Sequence, residues 1–373
     1  MALSLIIILL IIYFYTLLII LFYIEIEKDP GLNDDNPEHL RPLSIVVPFR
    51  NEAEHLHGLI EDLEVQSYPA HLWELIFVDD HSEDESASII NSLIVDTPGF
   101  NYLRLPPGKS GKKAALYEGI KKAKQHWIIQ VDADCRVGPG FLSSHVLFLE
   151  RHPSDMVAGL ISTRKGGGSF LETFERLDML ALMGSSAGSF SLGRPMMCSG
   201  ANLSYSRDLY LETRSFDPEQ STASGDDMFL MIGGRKLNRT LRYNTSRESM
   251  VETGVVKDLR RLIIQRMRWG SKTGAYRMPD IQLLALLVSL TNISILLMPL
   301  WIILFPGMWP WLTGACFAKS LADFMLLFKI TGITGSRADL KMFIPVSLLY
   351  YPFFLVSMLG SLLGIKRWKK PLK

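Results

Sequence analysis

The residues best suited to chemistry stand where apolar runs of the chain stop. Asp132-Ala-Asp134 closes the run Trp127-Ile-Ile-Gln-Val131. Two carboxylates one residue apart at a strand end offer hard oxygen ligands to Mg²⁺ or Mn²⁺, ions that share their shell with substrate phosphates. A departing diphosphate needs such charge compensation, and a divalent ion supplies it as a Lewis acid. A lone Asp-x-Asp is also a common surface feature. Asp79-Asp80-His-Ser82 follows the run Glu74-Leu-Ile-Phe-Val78, and Pro48-Phe-Arg-Asn-Glu52 follows Leu43-Ser-Ile-Val-Val47. Asp, Asn and Ser in such places cap the next helix as readily as they hold a ligand. Their recurrence after three strands of one sheet is more telling than any single case.

Three further segments carry charge in a suggestive order. Gly108-Lys-Ser-Gly-Lys-Lys-Ala-Ala-Leu116 has the composition of a phosphate-binding loop without P-loop spacing. Lys112 could reach a diphosphate from a helix N-terminus, where backbone N–H groups favour anions; a solvated basic turn explains the same residues. Ser224-Gly-Asp-Asp227 precedes the apolar run Met228 to Ile232. An Asp fixed at a helix start can act as general base for a hydroxyl, or simply cap the helix. Gln265-Arg-Met-Arg-Trp269 lies on a basic, amphipathic stretch that begins near Lys257. Arg beside an indole suits a diphosphate next to a stacked sugar ring, and equally suits an interfacial anchor.

The elements that must position these residues alternate. The three apolar runs read as buried strands of a parallel sheet. Ala53 to Gln66, Ser82 to Asp96 and Lys112 to Lys124 read as the helices between them, a βαβ series spanning about residues 42–255. Ligands of such sheets bind beyond the carboxyl ends of the strands, where the polar segments fall. Ser169 to Met183 places Phe170, Phe174, Leu177 and Leu180 at helical spacing, for a membrane surface or for an ordinary core.

Apolar blocks flank this domain. Leu3 to Tyr23 is uncharged and long enough to cross a hydrocarbon core of roughly 30 Å; it lacks the basic start and small-residue cleavage site of a signal peptide. Residues 26–41 form a polar linker with Pro30, Gly31 and Pro37. Residues 256–280 form an interfacial helix, and residues 281–365 hold three blocks, Ile281 to Phe305, Met308 to Phe328 and Met342 to Ile365. The middle block contains Lys319 and Asp323, which at i,i+4 can neutralise each other or face a protein interior. A basic tail, residues 366–373, argues for a cytosolic C-terminus, whereas three full crossings after a cytosolic domain place it outside. A re-entrant block, with Pro345 and Pro352 or the charged pair as its mark, resolves the conflict in one direction.

Composition narrows the class. The 373 residues carry 39 basic and 38 acidic side chains, a net charge of +1 that provides no general attraction to nucleic acid. Cys135, Cys198 and Cys316 show no metal-ligand spacing and read as reduced thiols. Mean hydropathy is +0.18, which leans towards the membrane.

Taken together and in order, these motifs resemble those of the membrane-bound, inverting family 2 glycosyltransferases, the group that includes cellulose, chitin and hyaluronan synthases. The likeness spans about Pro42 to Arg277. It implies an α/β fold of GT-A (Rossmann-like) type with transmembrane helices at both ends. It implies that Pro48, Asn51, Glu52, Asp79 and Asp80 hold the nucleotide, Lys112 the diphosphate, and Asp134 with Asp132 a Mg²⁺ or Mn²⁺ ion. Asp227, beside Asp226 where the family usually has Glu, becomes the base, and Gln265, Arg268 and Trp269 close over donor and acceptor. The implied enzyme moves a sugar from a nucleotide-sugar donor, UDP-linked in the first instance, to a lipid or polysaccharide acceptor at the cytosolic face of the plasma (inner) membrane, with an export partner where a chain is secreted. The alternative is a catalytically inactive membrane scaffold subunit of a polysaccharide or envelope assembly; it predicts damaged catalytic positions, whereas Asp132, Asp134, Asp227, Arg268 and Trp269 are all present.

Overall fold

The computed structural model describes residues 2–27, 37–94, 99–216 and 225–363. Parts of the expected linker, the end of the Ser82 to Asp96 helix, Ser224 and the basic tail lie outside the described residues. In chain order come α1 (Ala2–Glu25), β1 (Leu43–Phe49), α2 (Ala53–Glu64), β2 (Trp73–Asp79), α3 (Ser86–Ile94) and β3 (Phe100–Arg104). Next are α4 (Lys112–Lys122), β4 (Trp127–Gln130), β5 (Arg136–Val137), α5 (Phe141–Arg151), β6 (Met156–Gly159) and β7 (Ile161–Thr163). There follow α6 (Phe170–Ser191), β8 (Leu203–Ser206), α7 (Arg207–Thr213), α8 (Asp226–Lys236), β9 (Leu241–Asn244) and β10 (Val251–Thr253). The last are α9 (Leu259–Gly270), α10 (Pro279–Leu296), α11 (Met298–Leu304), α12 (Trp309–Thr334) and α13 (Phe343–Leu362).

The chain forms two compact units, Ile26–Arg164 with Ser186–Gly254, and Met1–Glu25 with Lys165–Ser185 and Val255–Lys373. The first is built on a seven-stranded sheet of order β3-β2-β1-β4-β8-β6-β9, with a small sheet of order β5-β10-β7. From β3 to β4 the neighbours are parallel, with Leu43 opposite both Trp73 and Trp127. Every residue of β1 and β2 is buried, as expected of strands covered on both faces. The sheet is not parallel throughout: β8 runs antiparallel to both β4 and β6. On α2, Leu56, Leu59, Ile60 and Leu63 repeat at helical spacing and are all buried.

This topology makes a switch point. From β1 the chain crosses to β2 on one side, and β4 is laid on the other. The carboxyl ends of β1 and β4 therefore open a crevice between loops that diverge, the usual ligand position in an open α/β sheet.

The second unit is helical. Among the described residues, three of its helices are long and apolar enough to cross a membrane, Leu5–Glu25, Pro279–Leu296 and Arg337–Leu362. The block Ile281 to Phe305 is interrupted, with α10 ending at Leu296 and α11 starting at Met298. On α12, Lys319 Nζ lies 2.7 Å from Asp323, and Tyr15 O–H donates to Asp323 at 3.0 Å. The pair is thus neutralised within one helix and held by α1, which lets an otherwise apolar helix carry it. On α6, Phe174, Leu177 and Leu180 are buried, and the Phe174 ring meets Phe353 of α13 at 5.0 Å. Phe170 remains 40% exposed, so most but not all of that apolar stripe is core.

Candidate active site

The loop after β1 is tied to the loop after β2. Asn51, at φ 56°, donates its N–H to Ser82 Oγ at 3.0 Å, and its Oδ1 accepts from Glu83 N–H at 2.8 Å. Asn tolerates that left-handed backbone because its short side chain bonds locally. Glu52 N–H donates to Ser86 Oγ at 2.9 Å. Asp79 is fully buried; its Oδ1 accepts from Ser82 N–H at 2.7 Å and its Oδ2 from Tyr102 O–H at 2.9 Å. Asp80 Oδ2 accepts from Gly111 N–H at 2.8 Å, which fixes the loop that launches α4. Pro48 lies within β1. Both oxygens of Asp79 organise the crevice wall, while Asp80 links that wall to Lys112, the first residue of α4.

Across the crevice, Asp132 and Asp134 leave the end of β4. Lys112 Nζ reaches Asp132 Oδ1 at 2.5 Å. Burial pushes the Asp134 carboxyl up, and Asp132 adds to the effect. Burial pushes Glu52 up to about 7, reinforced by Asp134 and then Asp132, so this carboxyl from the β1 loop faces the pair from the β4 loop. Burial opposes the charge on Lys112, yet Asp132, Asp226 and Asp227 outweigh it and raise its pKa.

Asp226 and Asp227 are the first two residues of α8, behind Gly225 at φ 104°. Asp227 Oδ2 accepts from Gly200 N–H at 3.0 Å and its Oδ1 from its neighbour Met228 N–H at 2.8 Å. Asp227 is pushed up by burial and by Asp226 next to it. Gln130, the last residue of β4, donates from Nε2 to Asp226 Oδ2 at 3.0 Å and accepts from Tyr205 O–H at 3.0 Å. A Cβ on Gly200 would lie 2.5 Å from Gln130 Nε2 and 3.4 Å from both Asp226 Oδ2 and Lys112 Nζ. Gln130, Tyr205 and Gly200 thus hold the acidic pair in place, and none stands out in the sequence: Gln130 reads as strand, Tyr205 as core, and Gly200 as one of 28 glycines.

Lys112 faces the carboxylates Asp132, Asp134, Asp226 and Asp227, while Glu52 stands near Asp134 and Asp132 and His55 near Asp134, so acidic groups outnumber basic ones here. Among the described residues, no three His, Cys, Asp or Glu side chains are grouped closely enough to hold an ion by themselves. A donor set of one or two carboxylates beside uncompensated charge fits a hard divalent ion whose remaining ligands come from a diphosphate.

Gln265, Arg268 and Trp269 belong to the helical unit, on α9, which is capped by Asp258, its Oδ1 accepting from Arg261 N–H at 2.8 Å. Within the motif the organising residue is Arg266. Its guanidinium lies 2.6 Å from buried Asp178 of α6, donates to Gln265 Oε1 at 2.6 Å and stacks 4.2 Å from the Trp269 ring centroid. Arg266 is not part of the Gln-x-x-Arg-Trp pattern, although an Arg one residue after Gln265 and three before an indole is the available signal.

Residues 44–213 match the family model described as Glycosyl transferase family 2. A dodecaprenyl-phosphate galacturonate synthase of Rhizobium johnstonii is 35% identical over 146 residues, 38% of this chain and 42% of that protein. A poly(ribitol-phosphate) beta-glucosyltransferase of Bacillus spizizenii is 26% identical over 209 residues, 54% of this chain and 31% of that protein. The chain thus spans less than half the length of these curated relatives. Among solved structures, a mannosyltransferase from Pyrobaculum calidifontis in complex with GDP-Man and Mn²⁺ superposes with a TM-score of 0.57 at 16% identity, over 96% of this chain and 100% of that one. The fold is mixed α/β and GT-A-like, and residues 44–213 are similar to the family 2 glycosyl transferase model.

Proposed function

We propose that the protein transfers a sugar from a nucleotide-sugar donor to a lipid or glycan acceptor at the cytosolic face of a membrane, with inversion at the anomeric carbon. The observation that carries this reading is the gathering of Asp132, Asp134, Lys112 and the Asp226/Asp227 pair around the β1/β4 switch point. Asp80 and the loop of Asn51 and Glu52, braced by Asp79, form the nucleotide wall, while Lys112 meets the diphosphate as a half-buried cation. Asp134, with Asp132, is the set that would hold Mg²⁺ or Mn²⁺, which when bound stabilises the departing nucleoside diphosphate. Asp227 takes the proton of the acceptor hydroxyl: its carboxylate is aimed by two backbone N–H groups, and its raised pKa makes it the better base. Gln265, Arg268 and Trp269 serve donor phosphates and acceptor sugar. The relatives' names, a dodecaprenyl-phosphate galacturonate synthase and a poly(ribitol-phosphate) beta-glucosyltransferase, support a donor-to-lipid or donor-to-polymer reaction. Three candidate spanning helices support a membrane setting.

The test incubates purified full-length protein with a panel of labelled nucleotide sugars and membrane lipid or glycan extracts, then determines the anomeric configuration of the product by NMR. An inverted glycoside is expected. A retained configuration contradicts the single displacement, and no product from any donor contradicts the assignment.

A further inference from the structure

Helix α2 joins the two walls of the donor crevice. It starts at Ala53, directly after Asn51 and Glu52 of the β1 loop, and ends at Glu64. Its last turn and the residues beyond it are bonded to the segment that follows Asp132 and Asp134. Arg136, two residues past Asp134, donates from Nε to Asp62 Oδ2 at 2.6 Å and from Nη2 to Asp62 Oδ1 at 2.7 Å. Val137 N–H adds a third bond to Asp62 Oδ2 at 2.9 Å. Gln66 donates from Nε2 to Gly138 O at 2.8 Å and accepts from Leu142 N–H at 3.0 Å, while Ser67 N–H donates to Pro139 O at 2.8 Å.

A lone surface ion pair contributes little to stability, but this one is a two-bond fork whose acceptor also takes a backbone N–H. The fork depends on a glycine. A Cβ on Gly58, one turn before Asp62 on the same face of α2, would run into the Arg136 guanidinium. The loop inside the crevice needs support of this kind. Asp132 and Asp134 carry like charge, and Glu52 stands near both, so repulsion pushes this loop away from the β1 loop. Lys112 holds Asp132 at 2.5 Å. On the Asp134 side the loop is held through its backbone, by Arg164 Nη2 on Asp134 O at 3.1 Å and by the fork two residues further on. Ligands held in place before an ion arrives lower the reorganisation that binding must overcome.

We propose that Asp62 and Arg136 are positioning residues for the divalent-ion site: their fork holds the loop of Asp132 and Asp134 in the geometry that takes Mn²⁺ or Mg²⁺ together with the donor diphosphate. This rests on the transfer reaction above and names the residues that preset its ion site. Both act through the loop and not on the substrate.

The test uses full-length protein in detergent and follows binding of UDP and of GDP while Mn²⁺ is titrated, with thermal unfolding recorded alongside. Wild-type protein is expected to bind one of these nucleotides in a Mn²⁺-dependent way. Asp62→Asn should raise the Mn²⁺ concentration for half-maximal nucleotide binding by at least about tenfold, while nucleotide affinity at saturating Mn²⁺ stays within about threefold. Arg136→Gln should do the same, and the double variant Asp62→Asn/Arg136→Gln should be no worse than either alone, because one fork is lost only once. Gly58→Ala reaches the fork without altering either charge: it displaces the guanidinium and should raise the Mn²⁺ requirement, although Ala is the better helix former. This variant decides if Asp62→Asn fails to fold. A merely structural fork would lower the melting temperature and leave the Mn²⁺ requirement of the folded protein where it was. That result overturns the proposal, as does a loss of nucleotide affinity at saturating Mn²⁺ as large as the shift in Mn²⁺. Mn²⁺-dependent binding shared unchanged by all variants removes the fork alone, and Mn²⁺-independent binding in the wild type removes the ion site and the fork's role with it. Wild-type protein that binds neither nucleotide at any Mn²⁺ concentration removes the transfer reaction itself.

Discussion

At the scale of single residues, the two acidic sites differ in how their oxygens are used, and substitutions should separate them. Asp227 has both oxygens on backbone N–H groups, so Asp227→Asn keeps size and part of that bonding but removes the base. Turnover should fall by roughly 10² to 10⁴ with donor affinity preserved, read from kcat and from equilibrium binding. Asp134→Asn should weaken metal-dependent donor binding as well as turnover. Reversal of roles, with Asp226→Asn inactive and Asp227→Asn near normal, assigns the base to Asp226. Gly200→Ala tests the support behind the pair: its Cβ meets Gln130 Nε2 at 2.5 Å. Displacing Gln130 should cost about 1–3 kcal/mol of stability by overpacking, and lower turnover through Asp226; an unchanged melting point and rate would show that the close approach is dispensable. The acidic pairs were legible because carboxylates at strand ends announce themselves. Gln130 and Gly200 were not, because their roles exist only once β4, the Gly200 turn and α8 are folded together.

At the scale of elements, continuous apolar runs made β1, β2 and β4 visible, and their boundaries agree with expectation within two residues. The antiparallel β8, Leu203–Ser206, was not visible, since Leu-Ser-Tyr-Ser carries alternation too short to assign a direction. Helix α5 hides a pH response. His145 is buried beside Phe141, with Nδ1 3.2 Å from Ser204 Oγ, and burial lowers its pKa to about 4 from the usual 6.5. The folded state therefore stays neutral while the unfolded chain gains a proton as pH falls through 6.5. Stability is undiminished above that pH and is lost progressively down to about pH 4, by roughly 3 kcal/mol in all. Unfolding at pH 7 and pH 4.5 should show a larger loss in the wild type than in His145→Gln; equal losses would contradict the burial argument. In α9, Arg266→Leu leaves Asp178 buried without its partner and should destabilise the protein by about 3–5 kcal/mol in chemical denaturation, whereas Arg268→Leu should not. Similar losses in both would remove Arg266 as the anchor of Gln265 and Trp269.

At the scale of the whole molecule, the proposed donor fixes where the α/β unit must lie, because nucleotide sugars are met in the cytosol under this account. A cysteine placed at exposed Glu64 should resist an impermeant thiol reagent in intact cells and react after permeabilisation. A second at Lys373 reports the tail: labelling there with protection at Glu64 establishes three late crossings against the positive-inside rule. The charged pair of α12 made that count hard to read from sequence: the i,i+4 spacing allows Lys319 and Asp323 to neutralise each other, but the bond from Tyr15 of α1 is visible only in the fold. The reaction remains the central claim, and release of nucleoside diphosphate from a nucleotide sugar by the purified full-length protein tests it most directly. The account predicts release with Mn²⁺ or Mg²⁺, abolition by chelator and recovery when the ion is restored; undiminished release in chelator, or no release from any nucleotide sugar, would contradict it.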